Sequence, residues 1–347
     1  MKFLKAIAAG LYSVGLHVRH ALYDAGVIKS YTADIPVVCV GNITVGGTGK
    51  TPTVEYLIDA LSNRYTVAVL SRGYGRRTKG YIEVRSDSSF LNVGDEPKQI
   101  KRTFPNIVVV VCENRTEGIK RICSEHPEVN LIVMDDGFQH RRVTPKVNIV
   151  LTDYSRQIHE DHLLPLGRLR DLSSQMQRAN IVLITKTPAE ITPIERRIAV
   201  KYLKLLPYQK AFFTGVAQGE PESLFPDVEG LVPVARNAVV LAGVGNPSGF
   251  IEYVRNNYSL RDEWIFNDHH VYKVGELRKL VDKLAALPND TVILTTAKDA
   301  VKLVNRRKVP VELQQRLYKI PMRVSFPEPY EEDAFLAALH ENIEHSY

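Results

Sequence analysis

The sequence predicts an α/β fold: a layered parallel-sheet domain of the P-loop NTPase type, followed by a smaller α/β C-terminal domain. Three observations carry this. Short apolar runs recur at 37–40, 66–70, 107–111, 131–134, 149–151 and 181–184, with helical patterns between them. Their continuous Val/Ile/Leu character marks strands buried on both faces, as in a parallel sheet. The first run feeds a glycine-rich turn ending in Gly49-Lys50-Thr51 and then an amphipathic helix over 51–61, with Val54, Leu57, Ile58 and Leu61 on one side. A second strand, glycine turn and helix begins at Ala238, which opens a second unit.

The elements follow in order. Residues 1–25 carry Phe3, Leu4, Ile7, Ala8, Leu11, Val14, Val18 and Leu22 at helical spacing, flanked by Lys2, Lys5, His17, Arg19 and His20. Between Lys5 and Arg19 lie 13 residues, too few to cross a bilayer, which needs about twenty. A secretory signal is disfavoured because no small-x-small cleavage site follows. Two readings stay open: a helix packed on the protein's own core, and an interfacial helix lying on a membrane.

Next comes the segment 41–52, GNITVGGTGKTP. Gly46, Gly47 and Gly49 let the backbone curl so that the N–H groups of 44–51 point inward, and the helix that follows offers its positive dipole end to phosphates. Thr44, Val45, Gly46, Gly47, Thr48, Gly49, Lys50 and Thr51 are therefore the nucleotide-binding candidates. Lys50 would reach the β/γ-phosphates and Thr51 would bind Mg²⁺. The strict pattern has glycine where Thr44 stands.

After the second strand, SRGYG at 71–75 places Arg72 and Tyr74 at the carboxyl end of the sheet, and Arg115 follows the third strand. Ligands of α/β sheets bind at that edge, and arginines there suit substrate phosphate. The alternative for both is a solvated basic loop. GDEP at 94–97 holds Asp95 on a rigid turn, a candidate proton acceptor for a hydroxyl nucleophile. The fourth strand ends in Asp135-Asp136, the place where phosphate-loop enzymes keep an acid for Mg²⁺; a helix cap is the plainer use.

A strand over 211–216 closes the first domain, assigned to 26–216. Residues 217–237 are polar and rich in Gly and Pro and read as a linker. The smaller domain, 238–347, includes strands at 291–294 and 322–324. Its Gly243-x-Gly245 turn reads as structural, since a lone glycine turn does not establish a dinucleotide site. In the segment 266–272, FNDHHVY, a neutral His paired with a carboxylate is the economical role for the histidines.

Composition narrows little. Apolar residues make 44% and charged residues 24% of the chain, as in an ordinary globular protein. The 45 Lys+Arg against 39 Asp+Glu suit an anionic partner such as a phosphorylated substrate, a nucleic acid or a membrane. Cys39, Cys112 and Cys123 show no metal-ligand spacing, and an odd count without a framework fits a reducing cytosol.

Together, GNITVGGTGKTP, SRGYG, GDEP, DDGFQH at 135–140, LLPLGRLRD at 163–171, DHH at 268–270 and TTAKD at 295–299 make the chain resemble, over nearly its whole length, the tetraacyldisaccharide 4'-kinases of lipid A synthesis in Gram-negative bacteria. Thr44 is then that family's own variant. The resemblance implies ATP- and Mg²⁺-dependent phosphorylation of the 4'-hydroxyl of a tetraacylated glucosamine disaccharide 1-phosphate. It implies a peripheral protein on the cytoplasmic face of the inner membrane, with the first helix in the bilayer surface. It assigns catalysis to Lys50, Asp95 and His269, with His269 assisting Asp95 as base. It assigns metal-site roles to Thr51, Asp135, Asp136, Gln139 and His140, and substrate contacts to Arg170 and Asp171 beside Arg72, Tyr74 and Arg115. Family members usually read P-x-G-P-L-R-E; here Arg168 follows Gly167 and the acid is the shorter Asp171. No nucleic acid and no obligate protein partner are expected.

Another class must be weighed, a nucleotide-hydrolysing switch. ParA-like loops carry a lysine where Val45 stands, and the Asn/Thr-Lys-x-Asp guanine reader has no counterpart: Pro188 ends one near match at 185–188, and Lys298-Asp299 lacks the spacer. A basic nucleic-acid-binding ATPase lacks any recognisable module.

Overall fold

A computed structural model describes residues 2–345; Met1, the side chain of Lys2 and residues 346–347, parts of the expected 1–25 helix and 238–347 unit, lie outside the described residues. The larger unit contains α1 (Lys2–Asp24), β1 (Val37–Asn42), α2 (Lys50–Leu61), β2 (Val67–Ser71), β3 (Ile82–Glu83), α3 (Phe90–Val93), α4 (Asp95–Thr103), β4 (Val108–Val111), α5 (Arg115–Glu125), β5 (Leu131–Asp135), β6 (Val147–Asp153), β7 (Ile181–Thr185), α6 (Pro193–Leu203) and β8 (Lys210–Phe213). Its sheet runs β3-β4-β2-β5-β1-β6-β7-β8, with only the β3 edge antiparallel. Every residue of β1, β2, β5 and β7 is buried, as the unbroken apolar runs require of a sheet covered on both faces.

Each expected strand of the larger unit is present, several a residue or two longer. The register decides where the chemistry sits. Val40 of β1 pairs with Asp135 of β5, so the end of the phosphate-loop strand lies beside the acidic strand end. Gly41 is required by this approach: a Cβ there would stand 2.5 Å from the Phe138 Cβ.

Helix α2 starts at Lys50 because Gly49, at φ +84°, turns the chain left-handed just before it. Pro52 falls in the first turn, where a missing N–H costs nothing. Val54, Leu57, Ile58 and Leu61 are all fully buried, as the spacing predicts.

The remaining elements are β9 (Gly215–Gln218), β10 (Glu222–Ser223), β11 (Asn237–Ala242), α7 (Ser248–Asn257), β12 (Ser259–Ile265), α8 (Val274–Ala285), β13 (Val292–Thr296), α9 (Ala297–Leu303), α10 (Val311–Gln314), β14 (Leu317–Ile320), β15 (Met322–Ser325) and α11 (Pro329–Glu344). Five of them form a second sheet, β10-β14-β13-β11-β12. Several features differ from the sequence reading. The expected strand over 211–216 divides at Thr214 into β8 and β9. The polar 217–237 stretch carries the end of β9 and all of β10, and buries Leu224 and Phe225. The strand expected at 322–324 leaves the smaller sheet and pairs antiparallel with β9.

After β15 the chain returns to the larger unit. Phe335, Ala338, Leu339 and Ile343 of α11 enter the same core as Leu57, Ile58 and Leu61 of α2. Glu331 fastens this return by accepting from the Phe213 N–H at 2.7 Å and from Arg196 at 2.8 Å. The gap between the units is crossed by α4, which packs on α9.

Helix α1 lies outside both cores. Of the predicted stripe, Phe3, Leu4, Ile7, Leu11, Val14, Val18 and Leu22 are exposed, while Ala9, Leu16 and His20 face the protein. The reading of this stripe as an internal core face is therefore not what the structure shows. No helix among the described residues is long and apolar enough to cross a membrane.

Candidate active site

The phosphate loop is held from both sides. Val45 N–H donates to the Arg168 carbonyl at 2.9 Å, and Thr44 bridges to Leu169. The Asn42 amide donates to the Thr48 hydroxyl at 2.7 Å, and Thr185 donates to the Thr48 carbonyl at 2.9 Å. A Cβ built on Gly46 or Gly47 would meet nothing within 4 Å, so these glycines border open space of the kind a phosphate chain needs. The Thr51 hydroxyl makes no hydrogen bond among the described residues.

Two acids stand opposite. Asp136 is in the left-handed region at φ +47°, a conformation that costs energy for a non-glycine residue and concentrates at functional sites. Its carboxylate takes both terminal nitrogens of Arg170 and lies 3.7 Å from Lys50 Nζ. Burial pushes the Asp136 carboxyl up, but Arg170 and Lys50 outweigh it and hold it below its ordinary range. Asp135 is buried, accepts from Ser71 Oγ at 3.1 Å, and is pushed up to about 7 by burial, then by Glu96 and Asp136.

The residues fit Mg²⁺ by donor chemistry. Among the described residues no group of three His, Cys, Asp or Glu could hold a metal. Mg²⁺, however, is ordinarily held by one or two carboxylates plus substrate phosphates, all hard oxygens. Thr51, Asp135 and Asp136 supply such oxygens. Gln139 and His140 fit a metal site less well. The Gln139 amide donates to the Asn42 carbonyl at 2.7 Å. His140 is drawn down to about 4 by burial, then by Arg115 and Arg142, and its Nε2 is buried without a partner. A ring nitrogen is a poorer donor to Mg²⁺ than oxygen.

The second cluster spans the two units. Asp95 begins α4, where the helix dipole favours negative charge. It is 5% exposed, and its Oδ2 lies 2.9 Å from His269 Nδ1. A carboxylate only accepts, so this contact needs the proton on Nδ1. His269 is itself left-handed, at φ +58°, and its ring leans on Tyr74 with centroids 5.5 Å apart. Lys298 and Lys302 each stand 3.9 Å from Asp95 Oδ2. Lys298 also reaches Glu96 at 3.2 Å, and Lys302 reaches the fully buried Asp299 at 3.1 Å.

Of the expected substrate contacts, Arg72 and Tyr74 are exposed at this edge and Arg170 lines it. Two are not offered to a ligand. Arg115 is 2% exposed and donates to the Cys112 and Asp135 carbonyls at 3.0 and 3.4 Å. Its position, the first residue of α5, aims it back under β5. Asp171 is fully buried and meets His20 Nε2 at 2.7 Å; its short side chain reaches α1, away from Asp136. Sequence reasoning passed over Asn42, Ser71, Glu96, Lys298 and Lys302. All but Lys302 lie inside motifs it quoted, and their roles emerge only from what they touch.

Comparisons with known proteins place the chain in a family. The family model for Tetraacyldisaccharide-1-P 4'-kinase matches residues 1–343. The tetraacyldisaccharide 4'-kinase of Porphyromonas gingivalis (strain W83) is 43% identical over 330 residues, covering 93% of this chain and 92% of the relative. That of Phocaeicola vulgatus is 39% identical over 329 residues, covering 93% and 90%. Among solved structures, LpxK from Aquifex aeolicus, crystallised in complex with ATP, superposes with a TM-score of 0.76 at 26% identity, covering 97% of this chain and 98% of that one. Matched by the family model over residues 1–343 and 43% identical to a curated relative across 93% of its length, this chain belongs to the tetraacyldisaccharide-1-phosphate 4'-kinase family.

Proposed function

We propose that this chain transfers the γ-phosphoryl group of ATP to the 4'-hydroxyl of a tetraacylated glucosamine disaccharide 1-phosphate, a step of lipid A synthesis. The observation that carries the mechanism is the contact between Asp95 of the phosphate-loop unit and His269 of the smaller one. The phosphate loop and Lys50 hold the β- and γ-phosphates, Arg170 keeps Asp136 in place, and Arg72 and Tyr74 meet the acceptor. Asp95 takes the proton of the attacking hydroxyl as its oxygen bonds to the γ-phosphorus and the bond to the β,γ-bridging oxygen breaks, releasing ADP. His269 orients Asp95. Mg²⁺, when bound by Thr51, Asp135 and Asp136, supplies neutralisation of phosphate charge. Residues 26–216, completed by α11, form the nucleotide domain. The 238–320 part of the smaller unit brings His269 and the two lysines, and closure of the two excludes water from the γ-phosphate.

Transfer of label from γ-labelled ATP to the lipid disaccharide, compared with release to water, tests this. Label appearing only as inorganic phosphate would make the chain a hydrolysing switch and end the kinase assignment.

The outward stripe of α1 supports a peripheral place on the cytoplasmic face of the inner membrane, with α1 in the lipid surface. Leu4 and Leu11 are 69% and 71% exposed. Burying one leucine in lipid is worth about 1.5 kcal/mol or more, roughly a tenfold change in partition. The Leu4→Ser/Leu11→Ser protein should thus bind anionic vesicles roughly 10²-fold more weakly, with unaltered melting, in a sedimentation assay. Undiminished binding would move the membrane contact off α1.

A further inference from the structure

Helix α1 does more than present an apolar stripe. Its inward face touches three of the segments that shape the nucleotide site. The Tyr12 hydroxyl donates to the Arg170 carbonyl at 2.8 Å, Arg19 donates to the Gln139 carbonyl at 2.5 Å, and His20 Nε2 meets Asp171 Oδ1 at 2.7 Å. These same segments hold the phosphate loop. Arg170 grips Asp136 and also the Asn42 carbonyl at 3.2 Å. The Gln139 amide holds that same carbonyl, and the Asn42 amide holds Thr48.

The His20–Asp171 contact is the deepest of the three, with His20 3% and Asp171 0% exposed. Arg141 donates to His20 Nδ1 at 3.1 Å. A guanidinium only donates, so Nδ1 is the acceptor and Nε2 carries the proton toward Asp171. The other Asp171 oxygen has no hydrogen-bond partner among the described residues and stands 4.0 Å from Arg178. Beyond His20, the carboxylate has the Leu172 N–H at 2.9 Å and that distant guanidinium. A buried carboxylate that loses a donor must shift to find another, and Arg170 is the residue immediately before it in the chain.

We propose that His20 is a positioning residue of the nucleotide site: through Asp171 it fixes Arg170, and through Arg170 the Asp136–Asn42–Thr48 arrangement, so that α1 and the phosphate loop move as one unit. The meaning of this for turnover rests on the kinase reading, but its readout is nucleotide binding. Mg·ATP affinity of the full chain is measured by titration calorimetry, with melting recorded alongside. His20→Leu should weaken binding roughly 10–100-fold, the range for residues that orient a ligand-binding group from behind. His20→Gln keeps a donor toward Asp171 and should restore most of the affinity at similar stability. Leu11→Ser, on the outward face, should leave affinity unchanged. If His20→Leu fails to fold, Tyr12→Phe decides. It removes one hydroxyl from a partly exposed residue and should still weaken Mg·ATP measurably.

Wild-type affinity in whichever of these decides, or equal losses in His20→Leu and His20→Gln, would overturn the proposal. A wild-type chain that binds Mg·ATP but transfers nothing to the lipid disaccharide would sink the kinase reading and leave this one standing.

Discussion

Asp95→Ala and His269→Ala should each cut turnover by roughly 10²–10⁴, the span for groups that move or orient a proton in the transition state. The Michaelis constant for ATP should change little, because neither residue belongs to the phosphate loop. The double variant should be scarcely worse than the worse single, since the two act through one contact 2.9 Å long. Losses that multiply would mean independent roles and no dyad. A rise in the Michaelis constant for Mg·ATP as the main effect of Asp95→Ala would assign Asp95 to the metal site. Stability is a poor alternative explanation: Lys298 and Lys302 keep Glu96 and Asp299 as partners when Asp95 is truncated. The expected drop is therefore chemical, and melting curves run in parallel check that.

Lys50→Ala should be the most damaging single change, lowering turnover by roughly 10³–10⁵, as when a cation facing transition-state charge is lost. Its side chain is 17% exposed and opens toward Asp136 and the loop. Folding should not suffer. A cation in the first turn of α2 opposes the helix dipole, and Asp136 keeps both nitrogens of Arg170. The melting temperature should hold or rise slightly while single-turnover transfer collapses. Turnover preserved in a folded Lys50→Ala protein would remove the phosphate-loop assignment altogether.

Much of the larger unit was legible because its signals are local. A buried strand, a glycine turn and a helix face are each specified within a dozen residues, so β1, the loop and α2 could be placed to within two residues. The return of α11 was not legible, since the apolar face of a C-terminal helix does not say which core it enters. The polar 217–237 stretch misled for a related reason. Gly and Pro mark breaks in regular structure, but an edge strand of two residues such as β10 survives among them.

The site divides the same way. Lys50 and Thr51 follow from their own neighbours, and Asp135 and Asp136 from the end of a strand. The role of His269 came from a family likeness, because nothing near position 269 points to a residue 174 positions earlier. Arg115 reads as a ligand contact by residue type and Asp171 by family likeness. The structure turns both inward, one onto backbone carbonyls and one onto His20.

By itself, then, the sequence determined the phosphate-binding chemistry, the parallel sheet that carries it and the family to which the chain belongs, because these depend on short-range order in the chain. Only the tertiary structure decided which acids face Lys50, which face of α1 is left outward, and that Asp95 and His269 meet. Those depend on where separate elements cross, and a side chain's partner across such a crossing is set by packing and register rather than by its neighbours in sequence.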